Sequence, residues 1–490
     1  MLLLKNLTKY INHQLLWENL SLTLHKNDKV GLIGANGCGK STLLKIIAGL
    51  ENCDEGSVLA KGERIGYLSQ EFSEKKETTI CEYLNLENDY RGYKALVKVG
   101  LEDVDIFLAT GDLSGGQKTR LALAKVLVDQ PTLLLMDEPT NHLDESGIKW
   151  LEKFTRDFSG IVLVVTHDRQ FLQEAVNMIV EIDKANNRIN EYVGNYDDYL
   201  REREIIMKNW QVSYENQEKE RKRMESWLAL KRQEASVFKD PAKGRQVRQM
   251  EKRIDREIYQ NKIAKPLDLK TVAGLSFKGS IWRDKLVLRL EEVTKKFQDK
   301  IILNGINLEV RGQDRISIGG DNGSGKTTLL KIIVRDLMSD DGLAKIGENL
   351  RYSYFSQELK NLDGERTLLD ELLVSRTEDH IGISQARSIL GCFLFSKDDI
   401  YKKVEVLSFG EKVRLIFAKM INLENHLLIL DEPTNHLDIP TREIIEKALN
   451  DYEGSLIVVS HDRYFVKQIG LNKKYWLEDG KLNLIQEQIR

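Results

Sequence analysis

Short apolar runs recur along the chain and predict strands that are buried inside a sheet. Residues 133–136 read LLLM, residues 427–430 read LLIL and residues 161–165 read IVLVV. Runs of this kind are typical of parallel strands covered on both faces, because a half-exposed strand alternates apolar and polar side chains. Residues 29–33 and 65–69 predict two further strands. The pattern therefore favours an α/β fold.

The remaining periodicity of the first 200 residues predicts one antiparallel pair and three helices, one of which follows residues 137–144. Residues 1–10 alternate and predict an edge strand, and residues 21–24 predict its antiparallel partner. Residues 42–50 predict a helix after the strand at 29–33. Apolar residues at helical spacing after residue 117 predict a second helix.

A glycine-rich loop lies between a predicted strand and a predicted helix. Residues 34–41 read GANGCGKS, which matches GxxxxGK followed by Ser or Thr. The glycines let backbone N–H groups surround a phosphate chain, and the helix N-terminus adds partial positive charge. We expect Lys40 to reach the β- and γ-phosphates of a nucleotide and Ser41 to bind Mg²⁺. Residues 320–327 read GDNGSGKT and predict the same chemistry.

Two adjacent acidic residues follow two of the apolar runs. They open the octet DEPTNHLD, which occurs unchanged at 137–144 and at 431–438. Carboxylates at the end of a parallel strand lie where open α/β sheets bind ligands. We expect the first acidic residue of each octet to hold a metal ion and the second to contact a water molecule.

Two smaller motifs accompany each octet. The segments LSGGQ at 113–117 and LSFGE at 407–411, here called the signature segments, precede predicted helices. Free N–H groups at such a helix start predict a second anion site, although a turn that only caps the helix is the alternative. His167 and His461 each follow the next strand and predict a contact with the γ-phosphate, although strand-end histidines are often structural.

The motifs of the first half return in the second at nearly constant distances. The glycine-rich loops are 286 residues apart, whereas the signature segments, the octets and the histidines are 294 residues apart. The interval from Gln70 to Leu113 is 43 residues, and the interval from Gln357 to Leu407 is 50. This arrangement indicates tandem duplication of one nucleotide-binding unit with a variable insert.

Composition excludes several classes of protein. The 490 residues are too many for one core, and 41% hydrophobic and 30% charged residues are ordinary for a globular protein. No apolar run approaches the ~18 residues that cross a bilayer, and the first residues lack the features of a leader peptide. The four cysteines show no CxxC spacing, so we expect reduced thiols, no metal site at the cysteines and a cytoplasmic location.

With these motifs in order, twice, the chain resembles ATP-binding cassette ATPases. The repeated octet, the segment Val193-Gly194-Asn195-Tyr196 with Tyr199, and a charged connector make it similar to the ABC-F subfamily, which acts on ribosomes. The resemblance implies two tandem P-loop domains, at 1–198 and 286–490, joined by a helical hairpin at 199–285.

The resemblance further implies two ATP molecules, each bound between the two domains. Glu138, Glu432, His167 and His461 would be the catalytic residues, and aromatic residues 10 and 297 would stack on adenine. We expect Mg²⁺ to be held by Ser41, Gln70, Asp137, Thr327, Gln357 and Asp431. We expect ATP to be bound by Tyr10, Gly34, Asn36, Gly37, Gly39, Lys40, Ser41, Thr42, Gln70, Ser114, Gly115, Gly116, Gln117, Asp137, Phe297, Gly320, Asn322, Gly323, Gly325, Lys326, Thr327, Thr328, Gln357, Ser408, Gly410, Glu411 and Asp431.

Each ATP site would take its signature segment from the opposite domain. Lys40 and Glu138 would face Ser408 and Gly410, and the loop at 320–327 would face the first signature segment. The second signature segment departs from the family pattern, because Phe409 replaces a glycine and Glu411 replaces a glutamine. The two sites are therefore expected to be unequal, and the site served by Phe409 is expected to be slower.

The connector has the pattern of a helical hairpin, whose first helix is predicted to run from about residue 199 to residue 232. Apolar and long side chains from Met207 to Leu228 follow a heptad seam, residues 247–258 offer a returning stripe, and Pro and Gly break the helix near 235–245. Residues 201–262 hold 17 Lys and Arg against 11 Asp and Glu, a net charge of +6. A basic projecting hairpin favours binding to a phosphate backbone over a merely solvated face.

The resemblance implies that the hairpin contacts ribosomal RNA and the P-site tRNA near the peptidyl-transferase centre. The candidate RNA-binding residues are Lys239, Lys243, Arg245, Arg248, Lys252 and Arg253. A translation factor and a resistance protein that displaces a ribosome-bound antibiotic both fit, and we expect a monomer without a membrane partner. A DNA-associated ATPase and a transporter subunit are alternatives from other classes.

Overall fold

The computed structural model describes residues 1–11, 13–70, 77–86, 90–141, 143–183, 188–238, 247–248, 285–298, 300–348, 350–356, 362–374, 382–396, 398–423, 425–435 and 437–487. The chain divides into a larger compact unit, Met1–Tyr196 with Lys270–Arg490, and a smaller one, Asp197–Leu269. Within the larger unit, the first half is the described part up to Tyr196 and the second half the part from Lys285. The three-domain division at residues 198 and 285 stays a prediction.

The first half combines a small antiparallel sheet with a larger, mostly parallel one. Its strands are β1 (Leu2–Ile11), β2 (Gln14–Leu24), β3 (Lys29–Gly34), β4 (Glu55–Leu59), β5 (Ile65–Leu68), β6 (Leu133–Asp137), β7 (Ile161–Val165), β8 (Met178–Asp183) and β9 (Arg188–Val193). Its helices are α1 (Lys40–Ile47), α2 (Ile80–Leu84), α3 (Tyr90–Lys98), α4 (Gly115–Val128), α5 (Glu145–Asp157) and α6 (Arg169–Ala175).

The strand at the start of the chain is central in its sheet. The small sheet has the order β2-β1-β4, so the expectation of an edge strand at residues 1–10 is wrong, whereas its antiparallel pairing with 21–24 is confirmed. The error arose because β4 is mostly exposed and its sequence, EGSVL, lacks the apolar alternation that marks a strand.

The larger sheet brings the motifs of the first half to one edge. Its order is β5-β6-β7-β3-β8-β9, with parallel pairing up to β8 and an antiparallel last strand. The predicted strands β6 and β7 are fully buried. Because parallel strands share one carboxyl edge, β3, β6 and β7 deliver the glycine-rich loop, the octet and His167 to the same place.

A long helix leaves the first half. It is α7 (Tyr196–Phe238), a helix of 43 residues, or about 65 Å at about 1.5 Å per residue. The predicted helix at 199–232 is confirmed and is longer at both ends. Met224 and Leu228 on the heptad seam are buried. Of the expected returning stripe, only residues 247–248 are described, with Val247 buried and Arg248 exposed; residues 239–245 of the tip lie outside the described residues.

The second half repeats the architecture of the first. Its sheets have the orders β11-β10-β13 and β14-β15-β16-β12-β17-β18. Its strands are β10 (Leu286–Phe297), β11 (Lys300–Arg311), β12 (Arg315–Gly319), β13 (Asp341–Ile346), β14 (Tyr352–Phe355), β15 (Leu427–Asp431), β16 (Ser455–Val459), β17 (Lys473–Glu478) and β18 (Lys481–Glu487). Its helices are α8 (Lys326–Ile333), α9 (Leu368–Val374), α10 (Ile383–Cys392), α11 (Phe409–Asn422), α12 (Ile439–Asn450) and α13 (Arg463–Gln468).

Each half has a hydrophobic core of its own. In the first half, apolar side chains of β3, β6 and β7 pack with those of β1, β2 and α1. In the second half, β12, β15 and β16 pack with β10, β11 and α8 in the same way. The repeated apolar runs thus produce two similar α/β layers. Among the described helices, none has the length and apolar content that would let it cross a membrane.

Candidate nucleotide-binding sites

Both glycine-rich loops have backbone conformations that require glycine. Gly37 and Gly39 have φ of +73° and +92°, and Gly323 and Gly325 have +81° and +103°. A Cβ on Gly39 would lie 2.4 Å from a methyl carbon of Leu16, whereas one on Gly37 would meet nothing within 4 Å. One glycine therefore lets the loop pack against the sheet, and the other keeps its outer face clear for a phosphate chain.

The lysine and hydroxyl residue that close each loop occupy equivalent positions. Lys40 Nζ donates hydrogen bonds to the carbonyl oxygens of Gly34 and Ala35, at 2.8 and 3.2 Å. Lys326 Nζ binds the carbonyl oxygens of Gly320 and Asp321 at 2.8 and 2.9 Å. Both ammonium groups therefore lie over their loops, at the N-terminal ends of α1 and α8.

The acidic pairs lie beside these loops as expected. Ser41 Oγ donates a hydrogen bond to Asp137 Oδ1 at 3.1 Å. Burial raises the pKa of Asp137 and of Asp431, opposed by hydrogen bonds from Ser41 and Thr327 respectively. In each half, the hydroxyl that follows the loop lysine is therefore paired with the first carboxylate of the octet.

The second carboxylate of each octet is held in a strained conformation. Glu138 and Glu432 have φ of +48° and +49°, in the left-handed region that costs a non-glycine residue roughly 1 kcal/mol or more. Burial raises the pKa of Glu138 to about 7 and that of Glu432 to about 8. Strain and a near-neutral carboxyl pKa at the same position are features typical of a functional residue.

The two predicted histidines lie next to these carboxylates. The distance from His167 Nε2 to Glu138 Oε1 is 3.5 Å, and His461 Nε2 lies 3.5 Å from Glu432 Oε1. Burial lowers the pKa of His167 well below its ordinary value and that of His461 to about 4. Both rings are therefore neutral at pH 7, and each can donate one N–H.

The signature segments start α4 and α11 with matching caps. The Ser114 hydroxyl accepts from the Gln117 N–H at 3.2 Å, and the Gln117 side chain accepts from the Ser114 N–H at 2.9 Å. Ser408 and Glu411 repeat this capping box. Phe409 occupies the first position of α11 and is 40% exposed, so the substituted segment keeps its helix start.

A cavity of about 610 Å³ lies between the two halves. The second half contributes Phe297, the second glycine-rich loop and Asp431 with Glu432 and His461. The first half contributes Gly115 of its signature segment, together with Glu138 and His167. Gly115 and residues of the second loop therefore line the same cavity, together with residues of both octets.

The first glycine-rich loop also contacts the opposite half. The backbone N–H of Asn36 donates to a carboxylate oxygen of Asp438, the last residue of the second octet, at 3.1 Å. Burial lowers the pKa of Lys326 and of His461, and the negative charge of Asp144, the last residue of the first octet, opposes both shifts. The pairing of the first loop with Ser408 and Gly410 stays a prediction.

The remaining predicted residues are divided between described and undescribed parts of the chain. Tyr10 is the second-last residue of β1 and is 48% exposed. Phe297 is the last residue of β10 and is 49% exposed. Gln70 is exposed after β5, and Arg248 is exposed in the connector. The predicted residues that lie outside the described part of the chain are Gln357, Lys239, Lys243, Arg245, Lys252 and Arg253.

The residues around Asp137 and Asp431 fit a magnesium ion. Hydroxyl and carboxylate oxygens are hard ligands, and Asp431 Oδ1 is buried without a hydrogen-bond partner among the described residues. The described residues contain no cluster of three His, Cys, Asp or Glu side chains suited to a metal. An ion here would take its further oxygens from water and phosphate, as Mg²⁺ commonly does.

Sequence reasoning missed the ion pairs that join the two halves. Arg169 Nη1 binds Glu446 Oε2 at 3.0 Å, and Arg463 pairs with Glu152. The two pairs are related by the 294-residue offset, and the repeated triplet HDR at 167–169 and 461–463 was a signal that could have identified the arginines. Sequence reasoning also missed Arg442, which lines the cavity.

Comparison with known proteins agrees with this geometry. A family model described as ABC transporter matches residues 17–141 and 303–435, and a second model with that description matches residues 182–272. The putative ATP-binding protein YdiF of Bacillus subtilis is 34% identical over 94% of this chain and 78% of its own length. ABC transporter F family member 5 of Arabidopsis thaliana is 32% identical, over 98% of this chain and 75% of its own length.

Solved structures share the fold at low sequence identity. The archaeal ribosome recycling factor aABCE1, solved in complex with the ribosomal stalk protein aP1, matches with a TM-score of 0.65 and 18% identity, covering 98% of this chain and 90% of its own. RNase-L Inhibitor matches with a TM-score of 0.63 and 19% identity, with the same coverage. Both are similar in tandem-cassette fold. The two regions matched by the first family model, together with YdiF and ABC transporter F family member 5, show that the chain belongs to the ABC-F subfamily of ATP-binding cassette proteins and is an ATP hydrolase.

Proposed function

We propose that this ATPase binds the ribosome in an ATP-bound closed form and leaves after hydrolysis, and thereby modulates translation. The connector, on this proposal, extends toward the P-site tRNA and the peptidyl-transferase centre. The protein acts in the cytoplasm as a monomer whose two halves close on each other. The observation that carries the proposal is the connector, with a net charge of +6 over residues 201–262 in a chain of net charge −3.

The charge of the connector is unevenly placed, which supports separate roles for its parts. Helix α7 contains nine basic and nine acidic residues, and ion pairs along the helix join Arg201 to Asp198, Lys208 to Glu204 and Arg221 to Glu218. Arg221, for example, lies 2.7 Å from Glu218 and 2.9 Å from Glu225. Residues 239–262 contain eight basic and four acidic residues. On this proposal α7 is a neutral spacer, and the basic surplus after it contacts the phosphate backbone.

The chemistry proposed for each site is phosphoryl transfer to water. Lys40 and Lys326 bind the β- and γ-phosphates, and the glutamates of the octets orient the attacking water and accept its proton. Neutral His167 and His461 donate a hydrogen bond to the γ-phosphate. Ser41 or Thr327, with Asp137 or Asp431 acting through water, would hold a Mg²⁺ ion, which would neutralise negative charge on the phosphates.

Hydrolysis is proposed to control how long the halves stay closed. Each γ-phosphate is bound by the glycine-rich loop of one half and the signature segment of the other. Loss of the γ-phosphate removes the group that joins them, so that the closed form becomes less stable. The basic part of the connector would then leave the ribosome together with the opening of the halves.

Co-sedimentation with 70S ribosomes tests this proposal. We expect the protein in non-hydrolysable ATP to pellet with ribosomes and not to be retained on duplex DNA of equal phosphate concentration. Retention on DNA without ribosome binding would instead favour DNA maintenance and would contradict the proposal. Antibiotic protection is tested separately, by the drug susceptibility of a host with and without the gene.

A further inference from the structure

An arginine of the second half reaches the histidine of the first site. Arg442 lies on α12 and is buried. Its Nη1 donates a hydrogen bond to the backbone carbonyl of His167 at 2.8 Å, across the boundary between the halves. The same nitrogen lies 2.9 Å from Asp462 Oδ2, and Nε donates to the carbonyl of Leu437 at 3.1 Å. The guanidinium is therefore fixed by its own half while it holds a backbone atom of the other.

The carbonyl that Arg442 holds belongs to a residue with two contacts to Glu138. The His167 N–H donates to the Glu138 side chain, and His167 Nε2 lies 3.5 Å from Glu138 Oε1. A shift of the backbone at residue 167 would change both contacts. Because Glu138 has a strained backbone and is buried, its side chain depends on such neighbours for its orientation.

The position in the first half that corresponds to Arg442 is not an arginine. At the 294-residue offset, the position of Arg442 is occupied in the first half by Ile148, a buried residue of α5. An isoleucine side chain cannot donate a hydrogen bond to the carbonyl of His461. In contrast, the ion pair Arg169–Glu446 has a counterpart, Arg463–Glu152, whose residues lie at the equivalent positions of the opposite halves. The halves are thus joined symmetrically by two ion pairs and asymmetrically by Arg442.

We propose that Arg442 is a positioning residue for hydrolysis at the first site, supplied by the second half and absent from the second site. It touches no reacting atom and acts by fixing His167, and through it Glu138, when the halves are closed. Hydrolysis at the first site is thereby made dependent on closure. This inference rests on the proposed roles of Glu138 and His167.

Single-turnover hydrolysis, with enzyme in excess over ATP, tests the proposal at each site separately. The Glu432→Gln background reports the first site, and the Glu138→Gln background reports the second. We expect Arg442→Ile to slow the first site about 10- to 100-fold, the range that small misplacement of a reacting group can cost, without weakening ATP binding. The second site should keep its rate, and Arg442→Lys should recover part of the first-site rate.

A matched control distinguishes positioning of His167 by Arg442 from a general weakening of the contact between the two halves. Glu152→Gln removes the ion pair with Arg463 but leaves Arg442 and His167 in contact, so it should affect both sites equally or neither. Arg442→Gln, which keeps an amide NH2 donor on a shorter side chain, replaces Arg442→Ile if the latter does not fold, and is then expected to slow only the first site. Equal slowing of both sites by an Arg442 variant, an unchanged first-site rate, or a loss explained entirely by weaker ATP binding would overturn the inference. Failure of the Glu→Gln backgrounds to silence their own sites would instead contradict the proposed function.

Discussion

At the scale of single residues, the two ATP sites combine shared chemistry with unequal surroundings. The glycine-rich loops, the octets and the two histidines were predictable from sequence, because each is a local motif placed at a strand end. Of the two residues that make the sites unequal, only one could be predicted from the sequence. Phe409 is visible in the sequence, whereas Arg442 acts on His167 only through the packing of one half on the other. No local pattern around residue 442 indicates that contact.

The raised pKa values of the two octet glutamates predict that hydrolysis at both sites depends on pH near neutrality. Burial raises the pKa of Glu138 to about 7 and that of Glu432 to about 8, and Lys40 with Arg442 opposes the rise at Glu138. A carboxyl group accepts a proton from water only when ionised, so each rate falls as the pH drops through the pKa.

Both sites should therefore lose activity as the pH falls through the neutral range. Single-turnover rates measured from pH 9 to pH 6 at constant ionic strength, in the Glu138→Gln and Glu432→Gln backgrounds, would show this fall at each site. A rate that stays constant over this range would contradict the assignment of the corresponding glutamate as a base.

Phe409 is expected to slow ATP hydrolysis at the first site, and this effect does not come from a disrupted helix. The capping box of Ser408 and Glu411 matches that of the first signature segment, so the start of α11 is intact. The phenyl ring instead adds bulk where the first segment has Gly115. We expect Phe409→Gly to raise the single-turnover rate of the first site in the Glu432→Gln background, with Gly115→Phe slowing the second site as the reciprocal variant. No change in either rate would show that this position does not limit hydrolysis.

At the scale of elements, the connector shows where sequence patterns succeed and where they stop. The heptad seam predicted the helix and its buried positions, because Met224 and Leu228 lie on the covered side of α7. Helix length was underestimated, since the pattern marks only the seam from Met207 to Leu228 and α7 continues beyond it to Phe238. The placement of β1 at an edge was wrong because the exposed strand β4 has no apolar pattern to reveal it.

The division of charge along the connector predicts which basic residues matter for ribosome binding. Reversing the charge of Lys243, Arg245 and Arg248 to Glu should weaken ribosome binding and reduce its salt dependence, because phosphate contacts release counterions. ATP hydrolysis without ribosomes should persist. The matched control reverses three exposed basic residues of α7, namely Lys208, Lys219 and Arg223, and should have a smaller effect on ribosome binding. Equal loss in both variants, measured by co-sedimentation across a salt series, would indicate only a general electrostatic effect.

At the scale of the whole molecule, tandem duplication explains most of the architecture and much of its function. The 294-residue offset relates the octets, the histidines and both ion pairs across the halves. Sequence could predict two similar α/β layers because buried strands carry a strong apolar signal. It could not identify Glu152 and Glu446 as partners across the boundary, since a glutamate on a helix is usually solvated. The joined halves place the two octets against one cavity.

On the proposed function, ATP hydrolysis controls how long the protein stays on the ribosome. The most direct test compares the Glu138→Gln, Glu432→Gln double variant with the wild-type protein by co-sedimentation with 70S ribosomes over time in ATP. The double variant should remain in the ribosome pellet and inhibit translation, whereas the wild-type protein should be released as ATP is consumed. If the double variant were released from ribosomes at the wild-type rate, or hydrolysed ATP at the wild-type rate, the proposed function would be contradicted.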